Sequence, residues 1–307
     1  MCGIFGFVGK FEKDTMRELF IKHESKGSDA TGCALFKDRS LLWLKNPMPA
    51  RQFIKTKAYR EIESENPWIM ICHTRAATQG DKSDNKNNHP FINKEKLLAL
   101  VHNGIISNYR QIVADLKVDG KCDSEVILAL LSKNLEKNDV LKAVEKTVNS
   151  ISGFYNFAFI YKQKLYIYSD GNIKLIKHNS SIYFVQAGAS ILGERDGLFL
   201  SLKSLELKRG RLAIIELKNG SPCLQIRKLK IAENSYYDYG SSYLNYYQAK
   251  SYVPPAPATS FLIGSAPRYC SYMKDTCYNP VNCNKCELRG YYIEPITKDD
   301  VTDDYSD

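Results

Sequence analysis

Apolar residues recur along the chain in two rhythms. Runs of strand length stand at 4–8, 32–36, 68–73 and 97–102, several of them bounded by Gly, Asn or Asp. The stretch 154–169 predicts a hairpin, with Phe157, Phe159 and Tyr161 at alternate positions before a Lys162-Gln163-Lys164 turn and Leu165 and Ile167 after it. Further strands are predicted over 182–186, 197–202, 212–217 and 223–229. The helical rhythm is read at 14–22 and at 124–135, where Val126, Ile127, Leu130, Leu131 and Leu135 share one face, and a third helix is predicted over 139–151. Strands in two blocks with helices between them imply an α+β domain of two packed sheets covered by helices. No internal repeat interrupts the series.

Past residue 232 the pattern changes. Tyr236-Tyr237-Asp238-Tyr239-Gly240 is poor in aliphatic residues and Pro254-Pro255-Ala256-Pro257 is incompatible with regular structure. The expected organisation is a domain over 1–232, a Tyr/Pro-rich linker over 233–262, a small cysteine-bearing module over 263–298 and an acidic tail over 299–307.

Composition narrows this little. With 307 residues, 44% hydrophobic and 25% charged, the chain fits a globular protein with a substantial core. No run is long enough to span a bilayer and the N-terminus lacks a signal-peptide pattern, so no membrane is implied and the cytoplasm is expected. The net charge of +9 comes from lysines spread along the chain, which reads first as a solvated surface and only second as a nucleic-acid partner. The nine cysteines are an odd number, and Cys2, Cys33, Cys72, Cys122 and Cys223 stand singly, as reduced thiols do.

Cys2 follows the initiator methionine. Removal of Met1 would put a thiol and a free α-amine on one residue, and an amine with an ordinary pKa of about 7.7 to 8 can serve as base for its own thiol. Read alone, the dipeptide is more simply an incidental terminus. Arg75 alone could be half of a surface ion pair, Asp123 a helix N-cap and Asn103-Gly104 a turn.

Several blocks taken together change that reading. Met1-Cys2-Gly3-Ile4-Phe5-Gly6 resembles the start of class II (N-terminal nucleophile, Ntn) glutamine amidotransferase domains. Lys26-Gly27-Ser28-Asp29-Ala30-Thr31-Gly32 is similar to the family's Arg-Gly-x-Asp-Ser-x-Gly. His73-Thr74-Arg75-Ala76-Ala77-Thr78-Gln79-Gly80 and Asn88-His89-Pro90 resemble His-Thr-Arg-Trp-Ala-Thr-His-Gly and Asn-Ala-His-Pro. His102-Asn103-Gly104-Ile105-Ile106-Ser107-Asn108-Tyr109 and Asp123-Ser124-Glu125-Val126-Ile127 complete the series in the same order. The resemblance implies a four-layer αββα Ntn-hydrolase sandwich that releases ammonia from L-glutamine through a Cys2 thioester, with no cofactor for that chemistry.

By the same resemblance Asn103 and Gly104 form the oxyanion hole, Arg75 receives the substrate carboxylate and Asp123 its ammonium. Thr78 and Gln79 belong to the loop over the substrate, and Lys26 and Gly27 shape the pocket. Lys26, Ala76 and Gln79 depart from the Arg, Trp and His of the family pattern. The residues after the domain are too few for an acceptor enzyme, so a separate synthase is the expected partner. The alternatives are an Ntn amidohydrolase acting on another γ-glutamyl or small amide, and a catalytically retired fold used for binding.

Cys270, Cys277, Cys283 and Cys286 place four thiols within 17 residues. They suit a structural zinc ion, with an iron–sulfur cluster or plain thiols and disulfides as the other readings.

Overall fold

The computed structural model describes residues 2–37, 40–77, 81–116, 122–186 and 204–232, together with the backbone of 268–270 and 275–277. In chain order the elements begin with β1 (Gly3–Gly9), α1 (Lys13–His23), β2 (Ala30–Lys37), β3 (Ser40–Asn46), α2 (Ala50–Phe53), α3 (Lys57–Ser64) and β4 (Ile69–Arg75). There follow β5 (Phe91–Asn93), β6 (Leu98–Ile106), α4 (Tyr109–Leu116), α5 (Asp123–Leu135) and α6 (Val140–Ser150). The series continues with β7 (Gly153–Tyr161), β8 (Lys164–Ser169), β9 (Ile173–His178), β10 (Ser181–Gln186), β11 (Ser204–Glu206), β12 (Arg211–Lys218) and β13 (Ser221–Lys228). Short 3-10 turns stand at Glu24–Lys26 and Asn85–Asn87.

One sheet has seven strands in the order β11-β9-β10-β1-β4-β2-β3, the other six in the order β13-β12-β8-β7-β6-β5. Strand alternation sorts the side chains into three layers. Ile4, Val8, Ala34, Ile69 and Ile71 from the first sheet meet Val101, Ala158, Ile160, Ile167 and Ile215 from the second. Residues one step out of phase, Phe5, Phe7, Leu35 and Met70, face Met16, Leu19 and Phe20 of α1 and Phe53 and Tyr59 near α2 and α3. On the far side Leu100, Phe157, Phe159 and Tyr168 face Val126, Ile127 and Leu131 of α5 and Val144 and Val148 of α6. These strands read as nearly unbroken apolar runs because both of their faces are buried. The expected αββα arrangement is the observed one.

The predicted strands at 4–8, 32–36, 182–186 and 212–217 lie on observed strands, those at 68–73 and 223–229 overrun theirs by one residue at Trp68 and Leu229, and the hairpin at 154–169 is β7–β8. Its turn is two residues long, with Lys162 and Gln163 both in the left-handed region at φ 46° and 62°. Leu97 is not part of β6: it sits at φ 48°, and the strand starts one residue later and runs to Ile106. The helices predicted over 14–22, 124–135 and 139–151 are α1, α5 and α6, the last with Asp139 as its N-cap. The strand predicted over 197–202 lies outside the described residues.

The chain divides into two units, Met1–Tyr247 and Gln248–Asp307. The expected linker, 233–262, straddles that division, and it and the acidic tail over 299–307 lie outside the described residues. In the second unit, β14 (Arg268–Cys270) pairs antiparallel with β15 (Asp275–Cys277). Among the described residues no helix is long and apolar enough to cross a membrane.

Candidate active site

Cys2 stands at the mouth of β1, whose neighbours are β4 on one side and β10 on the other. Glycine at position 3 lets the strand enter there, because a Cβ would lie 2.8 Å from Thr74 Oγ1 and 3.2 Å from Lys26 Cβ. The Cys2 thiol donates to the Ala76 carbonyl at 3.6 Å, just past the end of β4. Burial pushes this thiol above its ordinary range, and the Asp123 carboxylate acts in the same sense. The Ala76 backbone and the Arg75 guanidinium pull it the other way. The resting sulfur is therefore a protonated thiol, which needs a base before it can attack.

Arg75 ends β4 and is 4% exposed, so it is no surface ion-pair residue. It donates to Asn88 Oδ1 at 2.6 Å. Asn88 is fully buried, and its amide donates to the Lys82 carbonyl and to Asn85 Oδ1, each at 3.1 Å. Its own carbonyl accepts from Lys45 Nζ at 2.7 Å, and the Pro90 carbonyl accepts from the same ammonium at 3.1 Å. Desolvation lowers the Lys45 pKa to about 8.

Asn103 and Gly104 lie within β6, in the other sheet, and not in a turn. Gly104 has φ 152°, a conformation that favours glycine, and a Cβ would stand 2.3 Å from the Phe154 carbonyl. The Asn103 side chain is 6% exposed and hydrogen-bonds to none of the described residues. Asp123 is the first residue of α5 and not its N-cap, which is Cys122. Its Oδ2 instead accepts from the Ile106 N–H at 3.0 Å, tying the helix to the end of β6. A buried histidine bridges the sheets: His73 Nε2–H donates to the His102 carbonyl at 3.1 Å. The neighbouring imidazole, His102, pairs through Nδ1 with Ser124 Oγ at 2.8 Å.

The structure thus brings Arg75 and Asp123 close enough for both to act on the Cys2 thiol. Lys26 closes the 3-10 turn before Gly27. Gly27 packs so tightly that a Cβ would meet the Arg75 carbonyl carbon at 2.3 Å and Ala76 N at 2.4 Å. Thr78 and Gln79 lie outside the described residues. Asp29 fastens the chain on both sides of them, accepting from Ala77 N at 2.9 Å through Oδ2 and from Lys82 Nζ at 3.0 Å through Oδ1.

Asp29 and Asn88 stand in matched sequence blocks, which was the signal available for them. Lys45 has no such signal. Cys283 and Cys286 are outside the described residues, and Cys270 and Cys277 are described only as backbone. Among the described residues no cluster of His, Cys, Asp or Glu could hold a metal ion.

The sequence profile of the family described as "Glutamine amidotransferases class-II" matches residues 1–214. Over 166 residues the chain is 36% identical to the glutamine–fructose-6-phosphate aminotransferase (isomerizing) of Aquifex aeolicus, a match covering 52% of this chain and 27% of that protein. The protein of the same name in Helicobacter pylori is 30% identical over 265 residues, 82% of this chain and 42% of its own length. The chain therefore spans less than half the length of these relatives.

Among solved structures, the allosteric regulatory enzyme of purine biosynthesis superposes with a TM-score of 0.61 at 16% identity, covering 75% of this chain and 50% of that one. The glutamine phosphoribosylpyrophosphate amidotransferase of B. subtilis gives 0.59 at 16% identity, with the same coverage of 75% and 50%. At that identity the likeness is one of fold.

Proposed function

We propose, from the premise that this chain belongs to the class II glutamine amidotransferases, that it hydrolyses L-glutamine to glutamate and ammonia with Cys2 as nucleophile. Removal of Met1 frees the Cys2 amine, which takes the proton of its own thiol. The thiolate attacks the δ-carbonyl carbon of glutamine, and the negative charge that gathers on the carbonyl oxygen is received by the Asn103 amide and the Gly104 N–H. Collapse of the tetrahedral species expels ammonia, which carries the proton away. Water then cleaves the thioester, giving glutamate and restoring the thiol.

The substrate is distinguished from other amides by its two charged ends. The Arg75 guanidinium pairs with the α-carboxylate and Asp123 with the α-ammonium. Lys26 and Gly27 shape the wall of the pocket, and Thr78 and Gln79 cover the bound amino acid. The single observation that carries this reading is the Cys2 thiol, seated against the Ala76 backbone and acted on by both Arg75 and Asp123. A raised thiol pKa also gives the α-amine its task.

Purified protein given L-glutamine is expected to release glutamate, its N-terminal residue being Cys2 by mass spectrometry. Cys2→Ala should abolish the release. Turnover by protein that retains Met1, or by the Cys2→Ala variant, would overturn the assignment of nucleophile and base. A panel of γ-glutamyl compounds and small amides would separate glutamine from other substrates.

In this reading the ammonia acceptor lies on a separate synthase, and co-purification from cells would identify it. Its setting is a reducing compartment such as the cytoplasm, which suits the unpaired thiols Cys2, Cys33, Cys72, Cys122 and Cys223. For the second unit the proposal is a structural zinc ion held by Cys270, Cys277, Cys283 and Cys286. What supports it is the close spacing of the thiols and the position of the first two on paired strands. Metal analysis of the full chain is expected to give about one zinc per molecule, lost when Cys286 is replaced by Ala.

A further inference from the structure

Lys45 is the last inward-facing position of edge strand β3. Leu41 and Trp43, at the preceding alternate positions, pack into the core between the sheets. At the next such position the strand offers an ammonium instead, directly opposite Gly32 of β2. That glycine is needed to let a loop down onto the sheet, since a Cβ would stand 2.1 Å from the His89 carbonyl. The loop is the segment carrying Asn85, Asn88 and Pro90. Lys45 grips it from both ends of the residue: its ammonium donates to the Asn88 and Pro90 carbonyls, and its own carbonyl accepts from Asn85 Nδ2 at 3.1 Å. The ammonium also stands 5.4 Å from the centre of the Phe91 ring.

A half-buried lysine that donates only to main-chain carbonyls has no carboxylate in contact, and the Asp84 charge acting from farther off offsets its desolvation only in part, so its charge is held there at a cost that surface lysines avoid. The gripped residue is also the one that matters for the site. Asn88 presents Oδ1 to Arg75 at 2.6 Å, and its amide is committed to Lys82 and Asn85. Its backbone N–H donates to the Asn85 carbonyl and its carbonyl accepts from Lys45, so Lys45 supplies the carbonyl side of the anchorage from which the side chain reaches Arg75.

We infer that Lys45 is a positioning residue for substrate binding: by clamping the Asn88 and Pro90 carbonyls it makes the Asn88 side chain hold Arg75 in the orientation that receives the carboxylate of an α-amino acid. The inference rests on the reading of Arg75 as the carboxylate receptor. It assigns to a lysine far from the nucleophile in sequence a share in selecting the head group, and no share in the chemistry at sulfur.

Two electrophiles that both alkylate Cys2 separate these roles. One is a glutamine-shaped diazoketone with the full amino-acid head; the other is iodoacetamide, which has none. In the wild type the diazoketone should be favoured strongly, and a wild type without that preference would sink the amidotransferase reading itself, whatever Lys45 does. In Lys45→Met, which removes both bonds to the loop, the diazoketone rate should fall about tenfold while the iodoacetamide rate stays within about twofold, the effect reaching Arg75 only through Asn88. The KM for glutamine should rise by the same factor with kcat little changed.

If both reagents slow equally, or if neither slows, Lys45 only staples the loop or does nothing, and the inference is overturned. Should Lys45→Met not fold, Lys45→Gln keeps a polar end without the charge and is judged by the same ratio of rates.

Discussion

Asn103 is a buried residue, yet no described side chain or backbone group takes its amide hydrogens, which suits a donor held for charge that gathers during the reaction. Asn103→Ala should lower kcat by about 10²- to 10³-fold with little change in KM, measured by glutamate release. Asp123 has a second employment, because its Oδ2 holds the Ile106 N–H. Asp123→Asn keeps an oxygen for that bond and removes the charge, so it should raise KM about tenfold or more at nearly wild-type melting temperature. Asp123→Ala should lose both and melt lower. Of these single residues the matched blocks exposed Cys2, Arg75, Asn103, Gly104 and Asp123. They did not expose Lys45, since a lone lysine in Trp43-Leu44-Lys45-Asn46 looks like any solvated cation until the chain brings Asn88 and Pro90 to it.

Elements with a clear apolar run or a clear apolar helical face were plain in the sequence; short or charge-rich ones were not. The strands β1, β4, β7 and β10 pack against a sheet on one face and helices on the other, so apolar residues dominate their middles and polar ones such as His73, Asn156 and Gln186 stand towards their ends. In contrast α3, Lys-Ala-Tyr-Arg-Glu-Ile-Glu-Ser, buries only Tyr59 and Glu63, the latter through a paired contact with Arg17 at 2.6 and 2.7 Å. Strand β9, Ile-Lys-Leu-Ile-Lys-His, places a half-buried Lys174 on one face and an exposed Lys177 on the other. Such patterns acquire meaning from a partner in space, which periodicity along the chain does not contain. The β7–β8 turn was placed correctly, but its chemistry is poor, because Lys162 and Gln163 both adopt positive φ without being Asn or Gly. Replacing the pair by Asn-Gly should raise stability by about 1 kcal/mol in denaturant titration and leave glutamate release unchanged.

At the scale of the whole molecule, the buried histidines set the acid limit. Desolvation lowers His23 and His73 to about 3, lowers His102, and holds His89 well below the usual range with the neighbouring imidazoles acting in the same direction. In the unfolded chain they would titrate near 6.5. Between those limits the unfolded state binds more protons than the folded one, so stability is full above about pH 6.5 and falls as pH drops towards 3. Each such histidine steepens the loss by up to about 1.4 kcal/mol per pH unit, and thermal melts from pH 7 to 4 should show a slope exceeding that of one proton.

The placement of β1 reaches further than catalysis. It is an interior strand, with Phe5 opposite Cys72 on one side and opposite Val185 on the other. A strand in that place pairs with segments made well after it, so during synthesis it stays open on at least one flank until β10 has emerged. In the proposed mechanism Met1 is trimmed from Cys2, and the interval before the sheet closes is when that end of the strand is easiest to reach. The relative timing of trimming and closure would then set the share of molecules with a free Cys2 amine.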